Sequence, residues 1–255
     1  MTNRLRDLLR NFVHRGRLLW HALHAPVLAR QSFSQCGEDL ILLFALQSLG
    51  IFRPRYLDIG AHHPMRLSNS ALFYQLGGRG VNVEPNPLLF REFIRRRSGD
   101  VNLNVGVGSS QGMLDFYIMD NPELSTFSRD IADSYVHHQG ARIRDVVPVS
   151  VSPVNEILDR YGTAGGFDVL SLDVEGLDEE ILRAIDYERF APLAFCVETV
   201  DFASGEKRLA AIAEFLISRG YFIYADTYIN TIFFHQSRFR KLRSLMTGTS
   251  TTGPV

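Results

Sequence analysis

The chain has 255 residues, a hydrophobic content of 45%, a charged content of 22% and a formal net charge of −1. This length allows one large buried core, and the near-neutral charge excludes a general electrostatic attraction to nucleic acid. The two cysteines, Cys36 and Cys196, form neither a disulfide framework nor a metal-binding spacing, which favours a reducing compartment. Because no apolar run reaches the roughly 18 residues that a membrane span requires, we predict a cytoplasmic protein.

The first 30 residues differ from the rest because they are basic and amphipathic. Six arginines occur with a single acid, Asp7, and apolar residues recur at helical spacing. We predict a helical extension over residues 1–30 that packs on the domain or on a second subunit, and so a homodimer. An alternative is a helix on an anionic membrane surface, which would place the protein at the inner face of the membrane. Gly16 interrupts the apolar stripe and weakens both interpretations.

Residues 33–39 precede an apolar helix that the sequence predicts over residues 40–49. Ser34 is positioned to cap this helix, and Asp39 falls where the helix dipole favours negative charge. An alternative is that Gln35 and Asp39 reach over a ligand pocket.

The next segment forms a strand, a turn, a helix and a second strand. A buried strand over residues 55–59 ends at Gly60, which permits a positive φ and close approach by a ligand. A helix is predicted over residues 67–76, and the second strand, residues 80–84, ends in Glu84. An acid at this position of a βαβ unit is placed to accept hydrogen bonds from a ribose diol. The phosphate motif G-x-G-x-x-G is incomplete, so a nucleoside without phosphates is the better ligand, and S-adenosylmethionine is a common one.

The remaining segments alternate between helix and strand. Strands that alternate with helices indicate a mostly parallel sheet covered on both faces, and a final pair joined by a short turn at Asn230 must be antiparallel. Residues 120–144 show no clear periodicity, and a stretch of this length predicts a lid or a substrate loop. Further strands are predicted at residues 101–105, 113–119, 146–151, 167–176, 193–197, 221–224 and 231–234, with helices at 87–97, 154–161, 178–186 and 207–219.

Seven strands with an antiparallel end pair are typical of the Rossmann-like fold of class I methyltransferases. We therefore predict this α/β fold for residues 31–240, followed by a disordered tail at residues 241–255. Ligands in such sheets bind at the carboxyl ends of the strands. That edge is predicted to bring together Asp58, Gly60, Glu84, Asn104, Asp173 and Glu198.

Four segments of the sequence together resemble the FkbM-type methyltransferases. The resemblance implies an S-adenosylmethionine-dependent O-methyltransferase whose usual acceptors are sugar hydroxyls. It spans roughly residues 33–234 and leaves residues 1–30 outside the shared pattern. The four segments are SQCGED at 34–39, DIGAHHP at 58–64 with SN at 68–69, NVEPNP at 82–87 and SLDVEG at 171–176.

The resemblance also implies which residues bind the cofactor. It places Glu84 at the ribose and Asn86 beside the adenine, with Asn104 and Val105 where such folds contact the adenine ring. The full set that it implies is Asp58, Gly60, Ala61, Glu84, Asn86, Asn104, Val105, Gln35 and Asp39.

Methyl transfer to a hydroxyl is an in-line displacement, so the protein must align the reacting atoms and remove a proton. A sugar hydroxyl is a very weak acid and needs a positioned base or a metal ion. Asp173 is predicted to be catalytic or substrate-orienting, and its alternative role is to cap the next helix. Glu175 would point along the same side of an extended strand, or be a solvated loop acid. His62 is a competent base near neutral pH, and its alternative role is packing.

The acceptor contacts are predicted at His63, Asn69, His137 and His138, although His63 precedes a proline and has an alternative role in the turn. Asp173, Glu175 and Glu198 would offer oxygen ligands to a divalent ion, but their spacing is no recognised metal signature and a metal is not favoured.

Two other classes of function are open from the sequence. The first is a nucleotide-sugar or NAD-dependent oxidoreductase, but the chain lacks two of the glycines that its phosphate motif requires. The second is a non-catalytic binding subunit, which would not need to retain Glu84 and Asp173. A nucleic-acid partner is not expected, because no basic cleft with stacking aromatics is evident.

Overall fold

The computed structural model describes residues 31–162, 166–174, 176–200 and 209–247. The predictions for residues 1–30, for Glu175 and for residues 248–255 lie outside these residues.

The strands are β1 (Arg55–Ile59), β2 (Arg79–Val83), β3 (Val101–Leu103), β4 (Gly106–Gly108), β5 (Gly112–Met119), β6 (Ile143–Pro153), β7 (Val169–Leu172), β8 (Ala194–Glu198), β9 (Tyr221–Asp226) and β10 (Asn230–His235). The helices are α1 (Glu38–Ser48), α2 (Ala71–Gln75), α3 (Pro87–Arg96), α4 (Arg129–Gln139), α5 (Val154–Tyr161), α6 (Asp178–Ala184), α7 (Leu209–Ser218) and α8 (Gln236–Thr247), with a short 3-10 helix at Pro122–Leu124.

The main sheet has seven strands in the order β3-β2-β1-β7-β8-β10-β9. Strands β3, β2, β1, β7 and β8 pair in parallel, whereas β10 runs antiparallel to both β8 and β9. This arrangement confirms the predicted seven-stranded, mostly parallel sheet with an antiparallel end pair. Asn230, which we predicted in the turn, instead opens β10 and pairs with Glu198.

Apolar side chains cover both faces of this sheet. In β1, Leu57 and Ile59 join the cluster on one face, which includes residues of α5, α6 and α7. Tyr56 lies on the other face, with residues of α1 and with Phe73 of α2. This alternation follows from the two-residue period of a strand, and burial on both faces explains why the central strands are nearly continuous apolar runs.

A second sheet and a helix differ from the sequence prediction. Strands β4, β6 and β5 form a separate three-stranded sheet. Within residues 120–144, which we predicted to be irregular, Arg129–Gln139 forms α4. The prediction was wrong there because α4 buries only Ala132 and Tyr135, which leaves little periodic signal. Likewise α8 continues to Thr247, so residues 241–247 are helical and do not belong to a tail.

A buried network of charged and polar groups links β1 and β2 to Arg97 and Asp100. The guanidinium of Arg97 is fully buried, and it donates hydrogen bonds to the carboxylate of Asp100 (2.9 Å), to Ser70 Oγ (2.9 Å) and to the hydroxyl of Tyr56 (2.8 Å). Asp100 also accepts a hydrogen bond from the backbone N–H of Gly80 (2.9 Å). A buried charge that donates a hydrogen bond from each of its three nitrogens fixes the spacing of the elements that it joins.

Among the helices within the described ranges, none combines the length and the apolar composition that a membrane crossing needs.

Candidate active site

A cavity of about 280 Å³ opens at the carboxyl-terminal edge of the main sheet. Its floor comes from the ends of four neighbouring strands, as expected for an open parallel sheet. The floor residues are Gly60 and His62 after β1, Glu84 after β2, Asp173 after β7 and Glu198 at the end of β8.

Gly60 forms a tight turn between three strand ends. Its φ is +76°, and a Cβ at this position would lie 1.7 Å from the carbonyl oxygen of Asp173. The N–H groups of Gly60 and Ala61 donate to the carbonyl of Val83 over 3.0 and 3.1 Å. A side chain at position 60 would therefore clash with the backbone of Asp173, whether or not a ligand approaches from the cavity. Ala61 is buried beside this turn and is not among the residues that line the cavity.

Glu84 joins the loop after β1 to the loop after β2. One of its carboxylate oxygens accepts a hydrogen bond from the backbone N–H of His62 (2.7 Å), and the other accepts from the N–H of Asn86 (2.7 Å). Glu84 is only 4% exposed. Burial raises the pKa of this carboxyl to about 8, against the opposing effect of the two hydrogen bonds.

Asn86 and Asn104 support this loop and do not line the cavity. The side chain of Asn86 accepts a hydrogen bond from Leu88 N and caps α3. Asn104 Nδ2 donates to the carbonyl oxygens of Glu84 (2.8 Å) and Pro85 (2.9 Å). Both asparagines thus hold the Glu84 loop, while Val105, the next residue after Asn104, lines the cavity.

Asp58 and Asp39 lie away from the cavity, in contrast to the sequence prediction. Asp58 is buried and accepts a short hydrogen bond from Ser70, and burial raises its pKa. Asp39 accepts hydrogen bonds from Ser32 Oγ and from the backbone N–H of Phe33, both over 2.7 Å. Asp39 therefore closes the loop before α1, whereas Gln35 of the same loop lines the cavity.

His62 lines the cavity, and its two imidazole nitrogens are buried. Both ring nitrogens are inaccessible to solvent, and neither has a hydrogen-bond partner in the part of the chain that the structure describes. Burial lowers the pKa of His62 below its ordinary value, while the charge of Glu123 acts in the opposite direction. The ring is therefore neutral near pH 7, and a bound molecule reaches its nitrogens only when the ring turns toward the cavity. Its φ of +52° belongs to the left-handed region.

The predicted acceptor contacts are not brought to the cavity. His63 Nδ1 accepts hydrogen bonds from the backbone N–H groups of Met65 and Arg66, both over 3.1 Å, so this ring stabilises the turn. Asn69 Nδ2 donates to Ser171 Oγ (3.1 Å) behind β7. His137 and His138 are exposed in the last turn of α4.

A short segment after β5 forms another wall of the cavity, and none of its residues was among those assigned to the site from the sequence. Thr126 anchors this segment by a pair of backbone hydrogen bonds with Tyr117 (2.9 and 3.2 Å). The ring of Phe127 packs on Phe116 with centroids 4.8 Å apart, and it lies so close to Gly106 that a Cβ there would be 2.5 Å away. The segment residues that line the cavity are Asn121, Pro122, Glu123, Leu124, Ser125 and Phe127. The irregular pattern of residues 120–144 predicted a lid, but it contained no signal that selects these positions.

No group of three or more His, Cys, Asp or Glu side chains within the described ranges is arranged to hold a metal ion. Of the three acids that we considered as ligands, Asp173 and Glu198 line the cavity, and Glu175 lies outside the described residues.

Comparison with known proteins places this site in a family. Residues 58–223 match the methyltransferase FkbM domain. The chain belongs to the FkbM methyltransferase family. S-adenosylmethionine is the cofactor of this chain. The match does not support the alternative of an NAD-dependent oxidoreductase.

Several crystal structures are similar to this FkbM chain. The FkbM methyltransferase of Methylobacillus flagellatus KT is 15% identical, with a TM-score of 0.41 over 83% of this chain and 46% of that one, so this chain spans about half of its length. The 1,6-didemethyltoxoflavin-N1-methyltransferase of Burkholderia thailandensis, with bound 1,6-didemethyltoxoflavin and S-adenosylhomocysteine, is 12% identical, with a TM-score of 0.40 over 90% and 85% of the two chains. No curated protein matches the sequence.

The residues at the cavity fit an adenosyl sulfonium cofactor. Each carboxylate oxygen of Glu84 accepts one backbone hydrogen bond, and a carboxylate has about four acceptor positions, so the group retains capacity for two ribose hydroxyls. Val105 and Val107 provide an apolar wall nearby. When bound, the cofactor supplies an activated methyl carbon, and the chain must position the acceptor and receive its proton.

Proposed function

We propose that this FkbM family member transfers the methyl group of S-adenosylmethionine to a hydroxyl group of a sugar or glycan. The observation that carries the proposal is His62, a lining residue of the cavity whose two buried ring nitrogens have no hydrogen-bond partner within the described chain. A hydroxyl acceptor must lose its proton to become a competent nucleophile, whereas a neutral amine attacks through its own lone pair. A base in the cavity therefore suits a hydroxyl acceptor.

His62 is proposed as the base because it is the cavity residue whose protonation state suits this task. The lowered pKa of its ring keeps it neutral near pH 7, and the acceptor hydroxyl would bond to one of its unpartnered nitrogens once the ring turns toward the cavity. The positive charge that forms on the ring would be stabilised by Glu123 across the cavity, whose charge already raises the pKa of His62.

Asp173 and Glu198 are proposed to orient the acceptor. Both residues line the cavity at the ends of β7 and β8, and Gln35 lines it from the loop before α1. Carboxylate and amide oxygens accept hydrogen bonds from hydroxyl groups, so this side of the cavity suits a molecule with several hydroxyls, such as a sugar. Glu175 is retained as a candidate for the same role from the sequence alone.

The cellular setting is proposed from the sequence alone. A cytoplasmic location, a homodimer and contact of residues 1–30 with the inner face of the membrane are predictions that follow from composition and from the basic, amphipathic start of the chain. A nucleic-acid partner is not expected.

A methyl-uptake assay tests the proposed reaction. The chain is incubated with labelled S-adenosylmethionine and a panel of sugars, sugar nucleotides and small amines, and mass spectrometry locates the new methyl group. We expect methylation of one hydroxyl, and no transfer to the matched deoxy-sugar. Transfer to nitrogen alone would overturn the proposed O-methylation. Cofactor binding without transfer to any acceptor would instead favour the non-catalytic binding subunit.

A further inference from the structure

Helix α8 has a composition that the proposed function does not use. It contains no acidic residue, and none of its residues is buried. Its exposed apolar side chains include Leu245, which is 71% exposed, and Met246, which is 55% exposed. Its cationic residues are Arg238, Arg240, Lys241 and Arg243.

One face of α8 is anchored to the domain. The ring of Phe239 packs against Phe222 (centroids 5.4 Å apart) and Phe234 (5.2 Å), and Leu242 packs on the same apolar cluster. Residues four apart lie on the same face of a helix, and a helix turns by about 100° per residue. Lys241 and Leu245 therefore share a face that points away from Phe239.

The end of α8 lies beside a second exposed apolar group. The Sδ atom of Met246 is so close to Gly50 that a Cβ there would be 2.8 Å away, which places the helix end against the turn after α1. Phe44 and Phe52, on either side of that turn in sequence, are 67% and 60% exposed. Residues 44–53 contain no acid and add one cation, Arg53. We call the surface of α8, together with Phe44 and Phe52 beside the Gly50 turn that Met246 contacts, the basic apolar face.

We propose that the basic apolar face docks on the surface of an anionic lipid bilayer. Clustered lysines and arginines are attracted to anionic headgroups, and exposed Phe, Leu and Met side chains next to them can enter the boundary between headgroups and acyl chains. Several large apolar residues exposed together mark an interaction site, unlike apolar residues exposed singly.

Charge argues against a second copy of the chain as the occupant. A two-fold interface brings the same surface of both copies together. Two copies would then bring Arg240, Lys241 and Arg243 of one against the same cations of the other, and α8 supplies no acid to offset them, whereas an anionic bilayer neutralises them. The proposal does not depend on which acceptor is methylated, so it can fail or succeed separately from the proposed reaction.

Vesicle sedimentation with the full chain tests the proposal. The probes are vesicles of phosphatidylcholine alone and vesicles of equal parts phosphatidylcholine and phosphatidylglycerol. We expect the chain to sediment with the anionic vesicles only, and high salt to release part of it. We expect the double variant Lys241→Glu, Leu245→Glu to reduce the bound fraction by about tenfold.

Two controls make the result specific to α8. Met113→Glu changes a residue of β5 that is exposed to a similar extent, and it should bind like the unaltered chain. A full chain with Arg4, Arg6 and Arg10 replaced by Gln should retain most of the binding to anionic vesicles, because α8 is unchanged. The proposal is overturned if the double variant binds normally, if neutral vesicles bind equally well, or if only the arginine variant loses binding. A dimer in light scattering that the double variant disrupts, without vesicle binding, would also overturn it and would assign the face to a second copy.

Discussion

The carboxylate of Glu84 accepts a hydrogen bond from the backbone N–H of His62 over a distance of 2.7 Å. Its second oxygen accepts from the N–H of Asn86, so one side chain fixes the loop after β1 relative to the loop after β2. His62 and Glu84 line the same cavity. The proposed ribose-binding acid therefore also positions the residue that we propose as the base.

Replacing Glu84 by Ala should weaken cofactor binding by about 1–3 kcal/mol, because two backbone N–H groups and the ribose hydroxyls lose their acceptor. Isothermal titration calorimetry with S-adenosylmethionine measures the change. Glu92→Ala is the matched control, because Glu92 is an acid of α3 that pairs with Arg95 and Arg96 at the protein surface. Equal affinities for the Glu84 variant and the unaltered chain would remove Glu84 from the cofactor site.

Cofactor affinity should also depend on pH through Glu84. The pKa of this carboxyl is raised to about 8, so the free protein holds a proton there at pH 7. Ribose hydroxyls donate to the ionised form, and binding must therefore release the proton. Affinity should rise by about tenfold per pH unit below pH 8 and level off above it. Calorimetry in buffers of different ionisation enthalpy should detect proton release at pH 7, and Glu84→Gln should abolish it. A flat affinity over this range would show that the carboxyl is already ionised.

His62→Asn should lower kcat by about 10²–10⁴-fold and leave cofactor affinity unchanged, because it removes the proposed base. Asparagine tolerates the positive φ of this position, which keeps the backbone contact to Glu84. Because the neutral ring is the active form and burial lowers its pKa, kcat should fall only as the pH drops through a value below 6.5. His63→Asn is the control and should retain kcat. A fully active His62 variant would direct the search for the base to Asp173.

Gly60→Ala should strongly destabilise the fold. The positive φ alone costs about 1–2 kcal/mol for a residue with a Cβ, and the added atom would overlap the carbonyl oxygen of Asp173. Gly112→Ala is the matched control, because a Cβ at Gly112 meets no atom within 4 Å. Urea denaturation should give a much lower free energy of unfolding for Gly60→Ala than for Gly112→Ala. Similar stabilities would mean that the turn after β1 is not as tight as described.

Arg97→Gln should lower the free energy of unfolding by about 3–5 kcal/mol, because the carboxylate of Asp100 would remain buried without its charged partner. Arg95→Gln removes an exposed ion pair nearby and should change stability by less than about 1 kcal/mol. Thermal denaturation of the two variants compares them directly. Equal melting temperatures would contradict the structural role of the buried network.

The sequence predicted the central strands and the strand-end residues because both leave strong local signals. Strands β7 and β8 are buried along their whole length and are therefore read as apolar runs. Gly60 and Glu84 were assigned to the site because they directly follow β1 and β2. Other residues beside these ends were assigned to the cleft by proximity, but Ile59 lines the cavity and Asp58 does not, because neighbouring side chains of a strand point to opposite faces.

The position of the cavity-lining segment after β5 depends on contacts between residues that no local sequence pattern connects. Phe127 reaches the cavity because it packs on Phe116 and Gly106, and the backbone of Thr126 pairs with Tyr117. Asn104 was predicted at the adenine, but its amide is used by two backbone carbonyls of the neighbouring loop. Such choices are decided by tertiary hydrogen bonds and packing, which the spacing of residue types does not encode.

A crystal structure of the full chain with S-adenosylhomocysteine tests the central claim most directly. We predict both ribose hydroxyls within about 3.2 Å of the Glu84 carboxylate oxygens, with the sulfur directed toward His62 and Asp173. A complex in which Glu84 contacts only the N–H groups of His62 and Asn86, while the ribose lies elsewhere, would contradict it.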